Sequence, residues 1–254
     1  MGKGEPLIYG IFGLVVGLIL FVKGFFWLKQ KRLIENIPTS KVRSLAMGLV
    51  EISGEAKLAD KHALKSPFSN KDCVYYKYTV EEYCKQGKNH KWITRKKGAE
   101  SVNFYLKDAT GAVLVDPKGA NIDIPADNEF KSKWGRDPPA VVMNFLKAKN
   151  ISFEGFFGAN KTMRYREYFL APKDKVYLMG TAGKNPFVKE GTAVNNVDNI
   201  MMQKGKNEKF YFISDSGEKH ILEKLKWLVI LGFFGGGILS VVCLIFILFY
   251  LALF

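Results

Sequence analysis

Cysteine and histidine are scarce in this chain, with three of each among 254 residues. His62, His90 and His220 have no cysteine or second histidine at ligand spacing, and no C-x-x-C occurs, so the pattern of a zinc site is missing. Cys73 and Cys84 flank one strand-like run and stand too far apart along it to bridge. Free thiols without a disulfide fit a reducing compartment. Charge is missing as well, over two long stretches. None lies between Leu7 and Val22, and none between Trp227 and Phe254, where Cys243 sits. A domain this small has no core able to bury such runs, which leaves the bilayer.

Leu7 to Leu28, interrupted only by Lys23, reaches roughly 33 Å as a helix, enough to cross the hydrocarbon core. Trp227 to Phe254 reaches about 42 Å, so it must tilt, bend near Gly235-Gly236-Gly237 or run past the interface. A cleaved signal peptide fits the first segment poorly. Its n-region holds only Lys3, offset by Glu5, and bulky Phe25, Phe26 and Trp27 stand where a small-residue cleavage site belongs.

Basic residues collar both spans. Lys29, Lys31, Arg32, Lys41 and Arg43 follow the first, and Lys224 and Lys226 precede the second. The positive-inside rule then places the intervening domain in the cytoplasm and both termini outside. Two sequons, Asn150-Ile151-Ser152 and Asn160-Lys161-Thr162, point the other way, but such triplets arise by chance. The net charge of +14 is dispersed. Its densest clusters are "KQKR" at 29–32, beside the membrane, and "RKK" at 95–97, so anionic headgroups account for it better than nucleic acid.

Between the spans the spacing predicts a short helix over 38–46, capped by Thr39 or Ser40, with Val42 and Leu45 on one side. Strand-like alternation follows at 49–58, 73–84 and 90–96. Val102 to Lys107 and Ala112 to Val115 form a hairpin across Asp108-Ala109-Thr110-Gly111. "NIDIP" reads as an edge strand, and Asp137 with two prolines opens a helix through Lys149. Strands resume at 162–171, 175–182, 199–204 and 209–214. Asp215 and Glu218 then resemble a capping box opening a helix that runs into the second span. The expected fold is a membrane protein with two transmembrane α-helices flanking a mainly antiparallel β (α+β) domain, barrel- or sandwich-like. Its parts are a tail (1–6), a first span (7–28), a linker with the short helix (29–46), the β domain (47–214) and a helix continuing into the second span (215–254).

The stretches "IPTSKVRSLAMGLVEISGEA", "LKSPFSNKDCVYYKYTVEEY", "FYLKDATGAVLVDPKGA", "YREYFLAPKDKVYLMGTA" and "FYFISDSGEKHILEKLK", in that order, resemble the GIDE domain, also called BAM, for beside a membrane. That domain is the membrane region of the mitochondrial-type E3 ubiquitin ligases. The resemblance implies a membrane-embedded protein tied to ubiquitin transfer. In those ligases a RING follows the second span, and its eight Cys/His ligands are not found here, so the expectation is a prokaryotic-type short form without self-sufficient ligase activity.

No catalytic, cofactor-binding or metal-ligating residue is assigned. Glu81 and Glu82 point to opposite faces of one strand and cannot work as a dyad. Asp108 and Asp116 suit turns, and Cys73 suits a buried strand start. Tyr76 and Tyr78 read as core. Tyr75, Tyr83, Arg164, Arg166 and Glu167 remain as the candidate binding surface, set against a bland reading of "RYREY" as cross-strand ion pairs. Partners follow: the bilayer, a protein, no nucleic acid, and self-association left open. The functional expectation is a protein- or lipid-recruiting module at the membrane face. Its alternative is a ubiquitin ligase completed by a RING or conjugating partner in trans.

Overall fold

The computed structural model of the protein describes residues 5–60, 63–133, 137–151, 161–188, 196–206 and 210–253. Residues 1–4 of the tail, His62, and Ser152 and Asn160 of the two sequons lie outside the described residues. The chain divides into two compact units, one made of Met1–Pro38 with Gly217–Phe254, the other of Thr39–Ser216.

The first unit is a helical pair. Helix α1 spans Glu5–Asn36, past the expected limit at Leu28. Its partner begins as α3 (Glu218–Ile230), passes through one π-helical turn at Leu231–Gly235, and continues as α4 (Gly236–Leu253). The π turn lies at the triple glycine where a bend is expected. The capping box is not formed: Gly217 is the cap residue, without a side-chain bond, and Asp215 accepts from Ser216. Both helices are long and apolar enough to cross a membrane.

The helices meet backbone to backbone. Gly10, Gly17 and Gly24 form the buried stripe of α1. A Cβ on Gly232 would sit 2.6 Å from Gly24 Cα, and one on Gly236 would sit 2.8 Å from the Gly17 carbonyl oxygen. Lipid chains are as apolar as leucine, so close van der Waals contact between small residues holds such helices together. Phe233 fills the flank, with its ring 4.8 Å from Phe25 and 5.5 Å from Phe21.

Among the described residues the second unit holds two large sheets and one short two-stranded ribbon. Strand β1 (Gly48–Leu58) pairs with β6 (Phe104–Lys107), β6 with β7 (Ala112–Val115), β7 with β12 (Ile200–Gln203), β12 with β11 (Lys175–Lys184), and β11 again with β1. The five strands therefore close a barrel. All its pairings are antiparallel except β7–β12. Strands β13 (Phe212–Ser214) and β8 (Asn121–Asp123) extend it along β11, with β8 the edge strand expected from "NIDIP". Val50, Ile52, Phe104, Leu106, Leu178 and Met202 fill the core.

The other sheet runs in the order β5 (Asn89–Ser101), β4 (Tyr75–Gln86), β10 (Met163–Leu170), β9 (Asn128–Ser132). Helix α2 (Ala140–Ala148) and the loop around Phe68, held by the short ribbon β2 (Leu64–Lys65) with β3 (Asp72–Cys73), pack onto one face. Phe68 makes edge-on contacts with Tyr78, Phe145 and Tyr165 at 5.2–6.0 Å. Tyr76 and Tyr78 are core, as expected.

The expected helix over 38–46 is not formed. Only Val42–Ser44 makes a single 3-10 turn, with Lys41 rather than Thr39 or Ser40 at its cap. Thr39 instead donates to the buried Glu51 at 2.6 Å, and Asp108 accepts from the Val42 amide at 2.9 Å. These long-range partners draw the segment into bonds that a helix would have kept local.

Two measurements check this architecture. Gly54→Val, placed where β1 crosses from β11 to β6 against the Lys107 carbonyl, is expected to destabilise the domain by roughly 3 kcal/mol in denaturant unfolding. An unchanged midpoint would contradict the close approach. In the helices, a Cβ on Gly13 would lie 3.9 Å from Cys243 Cβ, inside disulfide range. Oxidised Gly13→Cys protein, cut within the central domain, should keep its terminal fragments joined until reduced. Separate fragments would reject the pairing.

Candidate binding surface

The face of the four-stranded sheet opposite α2 collects charge and aromatic rings. Alternation along β10 puts Arg164 and Arg166 on this face and Met163 and Tyr165 in the core. Pairing sets Arg164 opposite Glu81 and Arg166 opposite Thr79 on β4. Glu81 Oε2 accepts from Arg164 Nε at 2.7 Å and from the Arg166 guanidinium at 2.6 Å. Glu129 of β9 stands 3.9 Å from Arg166 Nε and 2.7 Å from Lys131 Nζ. Burial raises the Glu81 carboxyl, but the hydrogen bonds from Arg166 and Arg164 outweigh it and hold the group below its ordinary value.

Aromatic side chains continue the face toward the β4–β5 turn. The Arg164 guanidinium lies 4.4 Å over the Trp92 ring, Trp92 lies 5.0 Å from Tyr83, and Tyr83 stacks on His90 at 5.2 Å. The turn itself is tight, with Gly87 at φ +63° between Gln86 and Asn89. A bulge opposite the Val80/Glu81 step leaves Arg95 as the extra residue of β5. Arg95 then reaches Glu82 at 2.7 Å and Cys84 Sγ at 3.4 Å.

Two of the five residues expected at a binding surface are not exposed. Tyr75 is 8 % exposed and packs into the barrel core, because β4 starts at the junction of the two cores. Glu167 is fully buried: alternation turns it away from Arg164 and Arg166, and it accepts from the amides of Phe68 and Ser69 and from Asn128. It holds the Phe68 loop down instead. Tyr83, 43 % exposed, stays at the surface with Arg164 and Arg166 half-buried beside it. The bland reading of "RYREY" as cross-strand ion pairs describes both arginines. What sequence reasoning missed is the second half of β5, Lys97 to Ser101, and all of β9. The lysines, Gly98 and the polar ends looked like loop, although regular alternation in facing β4 signals that a partner strand is required.

Other candidates recede. Burial, reinforced by the Glu167 charge, pushes the Cys73 thiol up to about 12, which leaves it inert at neutral pH. Asp108 accepts from Thr110 and Gly111 as well as Val42, the work of a turn aspartate. Among the described residues no group of three or more His, Cys, Asp or Glu side chains is placed to hold a metal.

In the helical unit Lys29, Arg32, Lys224 and Lys226 are exposed, and Lys31 pairs with Glu35. Lys41 and Arg43 are exposed beside the 3-10 turn of the domain. The class of protein is thereby set: a β-barrel domain with a basic, aromatic sheet face, flanked in sequence by two apolar helices fit to span a membrane. It belongs to the GIDE family, whose sequence model, described as "GIDE: E3 Ubiquitin ligase", matches residues 75–248. No curated protein and no solved structure matches the chain.

Because the Glu81 carboxyl sits below its ordinary 4.5 in the fold, it stabilises the domain above that pH and loses the contribution as pH falls through the lower folded value. Glu81→Gln should cost about 2 kcal/mol at neutral pH and flatten the loss of stability below pH 4.5. Unfolding midpoints at pH 7 and in this acid window would show it. A wild-type acid slope in the variant would remove Glu81 from the network.

Proposed function

We propose that this membrane-associated GIDE protein is a two-pass anchor whose central domain lies in the cytoplasm and recruits a protein partner. The recruiting surface is the outer face of the β5-β4-β10-β9 sheet together with the β5 edge, with Tyr83, His90 and Trp92 as its aromatic part. The observation that carries this reading is the joint placement of exposed rings and unneutralised lysines along β5. Lys97 on this face, and Lys91 and Lys96 on the other side of the strand, are exposed and have no carboxylate partner among the described residues. Exposed aromatic rings are enriched in protein-binding patches, and the lysines beside them add charge complementarity toward an acidic partner. The collar of Lys29, Lys31, Arg32, Lys41, Arg43, Lys224 and Lys226 meets anionic headgroups in this reading, and its charge sets the cytoplasmic side.

The family description supports a second reading, in which the domain contributes to a ubiquitin ligase with a RING or conjugating partner in trans. Conjugates formed by the purified chain only when such a partner is added would favour it.

Sidedness and recruitment are separately measurable. Protease added to inverted membrane vesicles should cut the central domain, and protease added to right-side-out vesicles should not. The reverse pattern would overturn the cytoplasmic placement. A photo-crosslinker at Tyr83 in native membranes should give a discrete adduct that Lys91→Glu with Lys97→Glu abolishes. An adduct indifferent to both changes would mean the face is not the recruiting surface.

A further inference from the structure

We propose that β5 is a docking edge for an extended acidic segment of a partner, which adds to the sheet as a further strand. This names the partner class for the surface above and rests on that reading. The strand runs thirteen residues, Asn89–Ser101, about 43 Å, and it pairs with β4 from end to end. On its other side the sheet simply stops, with no described strand. All of β5 except Trp92, Ile93, Gly98 and Ser101 is exposed. A row of outward amides and carbonyls this long is a ready template for another strand. The opposite edge, β9, offers only five residues.

Charge selects the occupant. Lys91, Arg95, Lys96 and Lys97 stand on β5 against a single acid, Glu100, and only Arg95 has a carboxylate partner. A second copy of β5 laid alongside would set like charges opposite one another, which is destabilising. Edge lysines are a common defence against indiscriminate pairing, and the same residues admit an acidic strand that neutralises them.

The bulge at Arg95 divides the edge into two equal stretches of regular pairing, Asn89–Thr94 and Lys96–Ser101, and the second carries the small side chains Gly98, Ala99 and Ser101. Gly98 there is demanded by packing, since a Cβ would sit 2.6 Å from the Tyr78 ring. Tyr76 and Tyr78, both buried, back this half of β5, so the template is rigid. Phosphate headgroups would also be drawn to these lysines, but they make no use of the backbone row. The row is what favours a peptide over a lipid surface.

The test uses the full chain in neutral-lipid nanodiscs and a peptide of about eight residues alternating glutamate and threonine, a typical strand length. Hydrogen exchange should show β5 amides protected by the peptide, most strongly over Lys96–Ser101. Lys91→Glu/Lys96→Glu/Lys97→Glu, all at exposed positions, should weaken binding about tenfold or more. The same peptide N-methylated at alternate amides keeps its charge but cannot extend the sheet, and it should bind at least tenfold worse. Equal binding of the methylated peptide, or no protection of β5, would overturn the strand-addition proposal. So would protection of β5 by phosphatidylserine nanodiscs with none from the peptide. If strand addition fails while the charge-dependent Tyr83 adduct persists, recruitment stands and the edge is not its means; loss of both removes both readings.

Discussion

The barrel depends on one place where two backbones touch. Strand β1 serves two neighbours, pairing with β11 from Gly48 to Glu55 and with β6 from Glu55 to Leu58. The hand-over brings Gly54 against the Lys107 carbonyl, whose carbon would lie 2.8 Å from any Cβ at that position. Only glycine permits this, and without it β6 could not follow β11 around the ring. A second approach repeats the device: the Tyr211 ring covers Gly180, and its hydroxyl donates to the Asp116 carbonyl at 2.6 Å. Closure leaves these five strands without free edges, so the long open edge belongs to the other sheet.

Buried carboxylates organise what lies around that sheet. Glu167 receives two loop amides and Asn128, and Glu51 receives Thr39 and Tyr177. An anion buried this deeply is tolerable only when several donors surround it, so each one fixes the segments that supply the donors. Glu81 does the corresponding work on the outer face, with a consequence for recognition. By engaging both Arg164 and Arg166 it removes them as free cations and presents their planar groups as packing surface, Arg164 against Trp92. The free positive charge of β5 therefore lies on its lysines, Lys97 on this face and Lys91 and Lys96 on the other side of the strand, not on the arginines that stand out in the sequence.

That shift explains what was legible beforehand. Hydropathy and turn residues located both apolar helices, most strands and the Asp108–Gly111 hairpin, because each carries its own local signal: an unbroken apolar run, alternation or turn-forming residues. Tyr75 and Glu167 were misplaced because their surroundings come from elements far along the chain: Tyr75 sits where the barrel core meets β4, and Glu167 is claimed by a loop about a hundred residues earlier. The second half of β5 carries lysines and glycine that disfavour a strand locally. It is one because β4 offers an unbroken ladder, and tertiary pairing overrides propensity. The short helix expected over 38–46 lost to the same kind of competition, with Glu51, Asp108 and Thr110 taking its hydrogen-bonding groups.

The apolar helices show the limit from the other side. Hydropathy reports that Leu7 to Val22 and Trp227 to Phe254 prefer lipid, but it is silent on which faces pair, since every face is apolar. The information lies in the residues that contribute least to hydropathy. Gly10, Gly17 and Gly24 recur at sevens along α1, and Gly232, Gly236 and Ser240 recur at fours along its partner. Small residues at these intervals line one side of each helix and let the backbones meet. The fold thus uses one principle twice, in water at Gly54 and between the apolar helices at Gly17 and Gly24. Where two main chains must touch, the absence of a side chain is the specific signal.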